Sequence, residues 1–133
     1  MKVVLVTGSR KWPDDGSVER ELDLENPDML ILGDCPTGAD AIAQKWAKGR
    51  WPGASFNHHV RIHRADWDHW RRVGRPGWAG PVRNYAMAMD LSQCVDRAND
   101  CVALAFDMGG RGTASCIAHV RAVGVTLRIV KGV

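Results

Sequence analysis

The residues best equipped for chemistry lie in Phe106-Asp107-Met108-Gly109-Gly110-Arg111-Gly112-Thr113-Ala114-Ser115-Cys116. Gly109, Gly110 and Gly112 let a backbone approach a ligand closely, and Thr113 adds a hydroxyl. An apolar run from Cys101 to Phe106 precedes this stretch. A helical pattern from Thr113 to Val123 follows it, with Ala114, Ile117, Ala118 and Val125 at spacings that suit one face until Gly124 interrupts. The order is strand, glycine turn, helix, which aims free N–H groups and a partial positive charge at an anion above the turn. Phosphate is the anion this suits; a tight turn without a ligand is the plainer alternative. The dinucleotide fingerprint is absent, because Ser115 takes the place of its third glycine and no acidic residue follows about 20 positions later.

Three further stretches carry candidate ligand residues. Thr7-Gly8-Ser9-Arg10-Lys11 follows an apolar run, so Gly8, Ser9 and Arg10 form a small cationic loop at the carboxyl end of a strand, where open α/β sheets bind ligands. Gly33-Asp34-Cys35-Pro36-Thr37-Gly38-Ala39-Asp40 has P-loop glycine spacing, but Ala39-Asp40 stands where Lys-Ser/Thr is required, which excludes an NTPase. Gly33, Thr37, Gly38 and Asp40 are read instead as another wall of the pocket, Asp40 touching a ribose or base or else only favouring its helix dipole. In Gly80-Pro81-Val82-Arg83-Asn84, Pro81 suits a first helical turn and places Arg83 and Asn84 at a helix start. Arg83 contacts the ligand or makes a surface ion pair; Asn84 caps the helix or bonds the ligand.

These stretches need elements to hold them. Lys2–Val6, Asp28–Leu32, Val60–Arg64, Cys101–Phe106 and Val125–Val130 read as strands, the first a near-continuous β-branched run typical of a strand buried on both faces. Ser17 is expected to cap a first helix through about Asn26. A second helix buries Ala39, Ile42, Ala43, Trp46 and Ala47, turns Asp40, Gln44, Lys45 and Lys48 outward, and stops at Trp51-Pro52-Gly53. A short helix from Ala65 ends at Gly74 and Pro76, and a longer one buries Met87, Leu91, Cys94, Val95 and Ala98. The alternation predicts one α/β domain, residues 1–133, as a Rossmann-like three-layer sandwich with a mostly parallel sheet of about five strands.

Composition narrows the function classes. The net charge of +3 could favour a phosphorylated small ligand but is too small to argue for nucleic acid by itself. No apolar run approaches the roughly 20 residues of a membrane span, and no signal-peptide pattern follows Met1, so no membrane partner is expected. Cys35, Cys94, Cys101 and Cys116 show no C-x-x-C spacing, which fits free thiols in a reducing cytoplasm. His58, His59, His63, His69 and His119 form no metal-ligand pattern, and no metal or cofactor is expected. Arg71-Arg72-x-x-Arg75 is the best basic patch and six tryptophans offer stacking surfaces for single-stranded DNA, although a solvated helix face and core packing explain both equally simply.

Taken in order with Ala65-Asp66-Trp67, the four motifs resemble the SLOG superfamily, in particular its small YspA-like branch, over about residues 3–130. The resemblance implies a Rossmann-like fold that binds nucleotides or nucleotide-derived ligands, and a homodimer that completes the pocket. Related LONELY GUY enzymes are phosphoribohydrolases of nucleoside monophosphates, other members are ligand sensors in conflict and defence systems, and DprA-type members bind single-stranded DNA. The enzymatic branch carries P-G-G-x-G-T-x-x-E and an upstream arginine; here Met108 replaces the proline, Cys116 replaces the glutamate, and Arg83 sits where the arginine is expected. Cleaving an N-glycosidic bond needs a carboxylate, so Asp40, Asp66 or Asp107 would have to substitute, with Arg83 as partner. Ligand binding is therefore the first expectation, glycosidic hydrolysis the second, and single-stranded DNA binding the third.

Overall fold

A computed structural model describes residues 1–132. Five strands form one parallel sheet: β1 (Lys2–Gly8), β2 (Met29–Gly33), β3 (Val60–His63), β4 (Asp100–Asp107) and β5 (Thr126–Lys131), in the spatial order β3-β2-β1-β4-β5. Helices α1 (Asp15–Glu25), α2 (Gly38–Arg50), α3 (Phe56–His59), α4 (Trp67–Arg72), α5 (Ala79–Asp96) and α6 (Arg111–Ala122) connect them. The sheet faces are covered by α1 and α2 on one side and α5 and α6 on the other, a Rossmann-like three-layer α/β arrangement.

Strand side chains alternate between the two cores. Val4 and Val6 of β1, Leu30 and Leu32 of β2, and Val102, Leu104 and Phe106 of β4 pack with Val18, Leu22, Ala43 and Ala47. Val3, Leu5, Ile31 and Ala103 point the other way and meet Met87, Ala88, Leu91, Cys116 and Val120. Because both faces are buried, the strands read as unbroken apolar runs rather than as alternating patterns.

Several local expectations are corrected. Asp14, not Ser17, caps α1: its carboxylate accepts from the Ser17 N–H, while the Ser17 hydroxyl accepts from Trp12 Nε1 at 2.9 Å. Asp40 faces inward rather than outward on α2. On α6 the buried stripe is Thr113, Cys116, Ile117 and Val120, and Ala114 and Ala118 are exposed. On α5, Leu91 and Cys94 are buried but Val95 is 43% exposed, and Ala98 lies beyond the helix in a left-handed turn. The helix in fact begins at Ala79, so Arg83 and Asn84 sit in its second turn, where no free N–H needs a cap.

The α5 register gives a direct test. Leu91→Ala should cost about 2–5 kcal/mol in urea unfolding, while Val95→Ala should stay within about 0.5 kcal/mol of wild type; equal losses would contradict the register described here.

Candidate functional site

In this strand order β1 is the turning point: the chain crosses outward to β2 and β3 on one side and returns to β4 and β5 on the other. The loops leaving β1 and β4 therefore part and leave a crevice at the carboxyl ends of the strands. A cleft of about 380 Å³ lies there. Thr7 to Lys11 line it from β1, Met108 to Gly112 from β4, Cys35 and Asp40 from the β2–α2 connection, and Arg83, Asn84 and Met87 from α5.

Close backbone packing sets this geometry. The Ser9 N–H donates to the Phe106 carbonyl at 2.9 Å, and the Ala39 N–H donates to the Ser9 carbonyl at 3.1 Å. Gly38 has φ +72°, and a Cβ there would lie 2.1 Å from the Ser9 carbonyl oxygen. The Thr37 hydroxyl donates to the Arg10 carbonyl at 2.9 Å. Thr37 and Gly38 thus hold the β1 loop and do not themselves line the cleft. Gly33 has a related part: a Cβ would stand 2.7 Å from Asp40 Oδ2 and 2.9 Å from Arg83 Nη1, so its bareness gives those two side chains their room.

The interior of the cleft is a charged cluster. Arg83 Nη1 donates to Asp34 Oδ1 at 2.6 Å, and Arg83 Nε donates to Asn84 Oδ1 at 2.9 Å. Asn84 Nδ2 donates in turn to the Gly112 carbonyl at 3.2 Å, joining α5 to the first turn of α6. Asn84 is buried in this bridge and caps no helix. Asp40 accepts only a long bond from the Cys35 N–H, 3.4 Å. Burial raises its carboxyl to about 6, against the opposing pull of Arg83.

The glycine turn differs from the other loops. Asp107 accepts from the Gly109 N–H at 2.8 Å and binds Lys131 Nζ at 2.9 Å, and these two bonds hold its carboxyl below the ordinary range. Gly109 needs its φ of +87°. Gly110 and Gly112 have no such need, and a Cβ on either would meet nothing within 4 Å. The first N–H groups of α6 have no intrahelical acceptor, and among the described residues no side chain caps them.

Of the expected ligand residues, Gly8, Ser9, Arg10, Asp40, Arg83, Asn84, Gly109, Gly110, Arg111 and Gly112 come together around the cleft, while Gly33, Thr37, Gly38 and Thr113 do not line it. Thr113 is turned into the core beneath α6. Asp66 is exposed and caps α4, its carboxylate accepting from the His69 N–H at 3.1 Å. Among the three candidate carboxylates, only Asp40 faces the cleft. Cys116 is fully buried below it and burial pushes its thiol up to about 11, opposed by a hydrogen bond with Thr7. Thr7, Lys11, Cys35, Met87 and Met108 also line the cleft; Lys11 and Thr7 flank a recognised motif, and Met87 lies one helical turn beyond Arg83.

The sequence profile of the YspA, cpYpsA-related SLOG family matches residues 2–70. Over 131 residues the chain is 36% identical to the Gene 61 protein of Mycobacterium phage D29, an alignment that covers 94% of this chain and 93% of that protein. No solved structure matches it.

The Asp40 carboxyl yields a pH prediction. Its folded-state value lies above the ordinary 3.8, so its contribution to stability is complete below about pH 4 and is lost as pH rises through about 6. Asp40→Asn, always neutral, should gain on wild type across that window in urea unfolding and gain nothing further above about pH 7. A pH-independent difference would show that Asp40 titrates alike in the folded and unfolded chain.

Proposed function

The chain belongs to the YspA, cpYpsA-related SLOG family, and on that premise we propose that the cleft binds a nucleotide or nucleotide-derived phosphorylated ligand, as a sensor or ligand-binding protein. The observation that carries this reading is Gly112, with Gly110 beside it at the N-cap of α6. Gly112 lies in the first turn of α6, where glycine costs up to about 1 kcal/mol against alanine, whereas Gly110 stands at the N-cap, where glycine is well tolerated. Neither packing nor backbone angle requires one at these positions, and both face open cleft. Their bare backbone gives a phosphate access to the N–H groups of Gly110, Arg111 and Gly112, with Arg10, Lys11 and Arg83 supplying positive charge. A sugar or base then lies toward Asp40 and Met87.

Hydrolysis of an N-glycosidic bond is the second reading, and Asp40 is the observation that favours it. A buried carboxyl with a value of about 6 beside an arginine suits work at a sugar C1′, either stabilising positive charge there or activating water.

One experiment separates the two readings. Thermal unfolding would be followed with nucleoside mono-, di- and triphosphates, cyclic nucleotides and ADP-ribose, and the same mixtures chromatographed for free base. A true ligand at about a hundredfold excess over its Kd should raise Tm on the order of 5–10 °C, and Arg83→Ala or Gly112→Asp should abolish the rise. Free base that disappears with Asp40→Asn would establish turnover. A stabilising ligand without release of base leaves binding alone, and no stabilising ligand in the whole panel overturns both.

Self-association belongs to the same proposal. Trp78, Pro81, Val82, Tyr85 and His119 form an uncharged patch across α5 and α6, with Val82 and Tyr85 about half exposed and Ala114 and Ala118 exposed on α6. A two-fold pairing there would cover these apolar side chains, next in the chain to Arg83. Light scattering on a sizing column should give twice the chain mass, and Tyr85→Lys with Val82→Glu should halve it. A wild-type monomer at high micromolar concentration would remove the dimer.

A further inference from the structure

The tryptophans divide sharply. Trp12 and Trp51 are buried, and Trp46 packs against the same core with its Nε1 donating to Asp23. The other three, Trp67, Trp70 and Trp78, belong to the segment from Arg64 to Trp78, outside the cleft. There Trp67 is 45% and Trp78 49% exposed. The same segment holds Arg64, Arg71, Arg72 and Arg75, all exposed, against Asp66 and Asp68. Asp66 caps α4 and Asp68 pairs with Arg71 at 3.4 Å, and since four arginines stand against these two aspartates the segment keeps a net positive charge.

The aromatic and cationic groups are arranged together. The Arg75 guanidinium sits 4.6 Å from the Trp78 ring centre, and Trp78 lies 5.4 Å from Trp70. The turn that carries them is internally bonded: the Arg75 N–H donates to the Trp70 carbonyl at 2.7 Å and the Trp78 N–H to the Arg75 carbonyl at 3.1 Å. Its root is fixed by the Ala65 N–H, which donates to Asp34 Oδ2 at 3.2 Å. An isolated solvated helix face needs none of this, least of all half-exposed indoles.

We propose that this segment is a binding surface for single-stranded nucleic acid, distinct from the cleft. Four exposed arginines spread over the segment exceed what one nucleotide's phosphate would engage and match a run of phosphates. Exposed indoles and a guanidinium–indole stack offer faces to unpaired bases, which a duplex keeps hidden. At six residues α4 is too short to fill a major groove, so the surface suits strands rather than duplexes.

The test is fluorescence anisotropy of the full chain with labelled oligo(dT) and oligo(U) of about 15 nucleotides, and with a duplex of equal length, across a salt series. Binding of either single strand is expected, with a slope of log K on log salt of roughly −2 to −3. Trp67→Ala should weaken it about tenfold and Trp67→Phe should restore most of it. Arg71→Ser with Arg72→Ser and Arg75→Ser should abolish it, with circular dichroism confirming that each variant is folded. Trp67→Ala should leave any nucleotide-induced rise in Tm at the cleft unchanged, so failure of the cleft reading and failure of this one are separable. Because Trp78 also borders the apolar patch, Trp67 and the three arginines carry the test and chain mass is measured for each variant. No binding at low salt, equal affinity for the duplex, or indifference to Trp67→Ala would overturn the proposal.

Discussion

The pairing of β1 with β4 is the constraint on which the cleft depends. These strands lie side by side although about 90 residues separate them in the chain, and their register runs from Lys2 against Asp100 to Gly8 against Phe106. The Ser9 N–H on the Phe106 carbonyl adds one further rung beyond the strand. Past it the two connections leave to opposite sides, since a right-handed crossover carries each onto its own face of the sheet. Two loops that start as neighbours and diverge must leave a hollow. Slipping the register by one residue would reverse which face Val4 and Val6 present and would move Gly8 away from Phe106 and Ala39.

Within that hollow, close approach and charge are linked. Gly8 would place a Cβ 2.6 Å from that of Ala39, so its bareness lets α2 settle against the loop. That contact brings the first turn of α2 inward and Asp40 with it. Asp34 holds Arg83 at 2.6 Å, leaving Asp40 as the second carboxylate of the cluster with one guanidinium between them. Desolvation then dominates over the attraction to Arg83, and Asp34 adds repulsion, which accounts for the raised carboxyl. An anionic ligand at Arg83 would enter a site whose charges are already in tension.

Asp34 also has a second bond, from the Ala65 N–H, and so joins the interior of the cleft to the segment that begins α4. On the opposite flank of that segment, His63 Nε2 and Arg61 Nη1 meet the two oxygens of Asp90 at 2.9 and 2.8 Å and fix β3 to α5. The edge of the sheet next to β2 is therefore held by polar bonds to its covering helix as well as by the apolar side chains of Val60 and Ile62. The other edge follows the same rule, with Arg128 of β5 bonded to Glu21 and Glu25 of α1. Edge strands have fewer apolar neighbours, and ion pairs with the covering helices add to what those neighbours supply.

The five strands, their parallel alternation with helices and the loops bordering the cleft were legible from the chain, because buried apolar runs and glycine turns are local signals. The family resemblance read from the motifs agrees with the profile over residues 2–70. What the chain left open was which side of each helix faces inward. The alanines of α6 have helical spacing on the exposed face as well as Ile117 on the buried one, and Val95 follows Cys94 with the same apolar character. Asp40 reads as a polar surface residue until Gly8 and Gly38 draw its helix against the loop. Six tryptophans look alike in sequence, and only packing separates the buried Trp12 and Trp51 from the exposed Trp67 and Trp78. Hydrophobic period and turn chemistry act over a few residues and so determined the elements. Burial depends on contacts between residues far apart in the chain, and it was left to the tertiary structure to decide which side chains face the cleft, the core or the solvent.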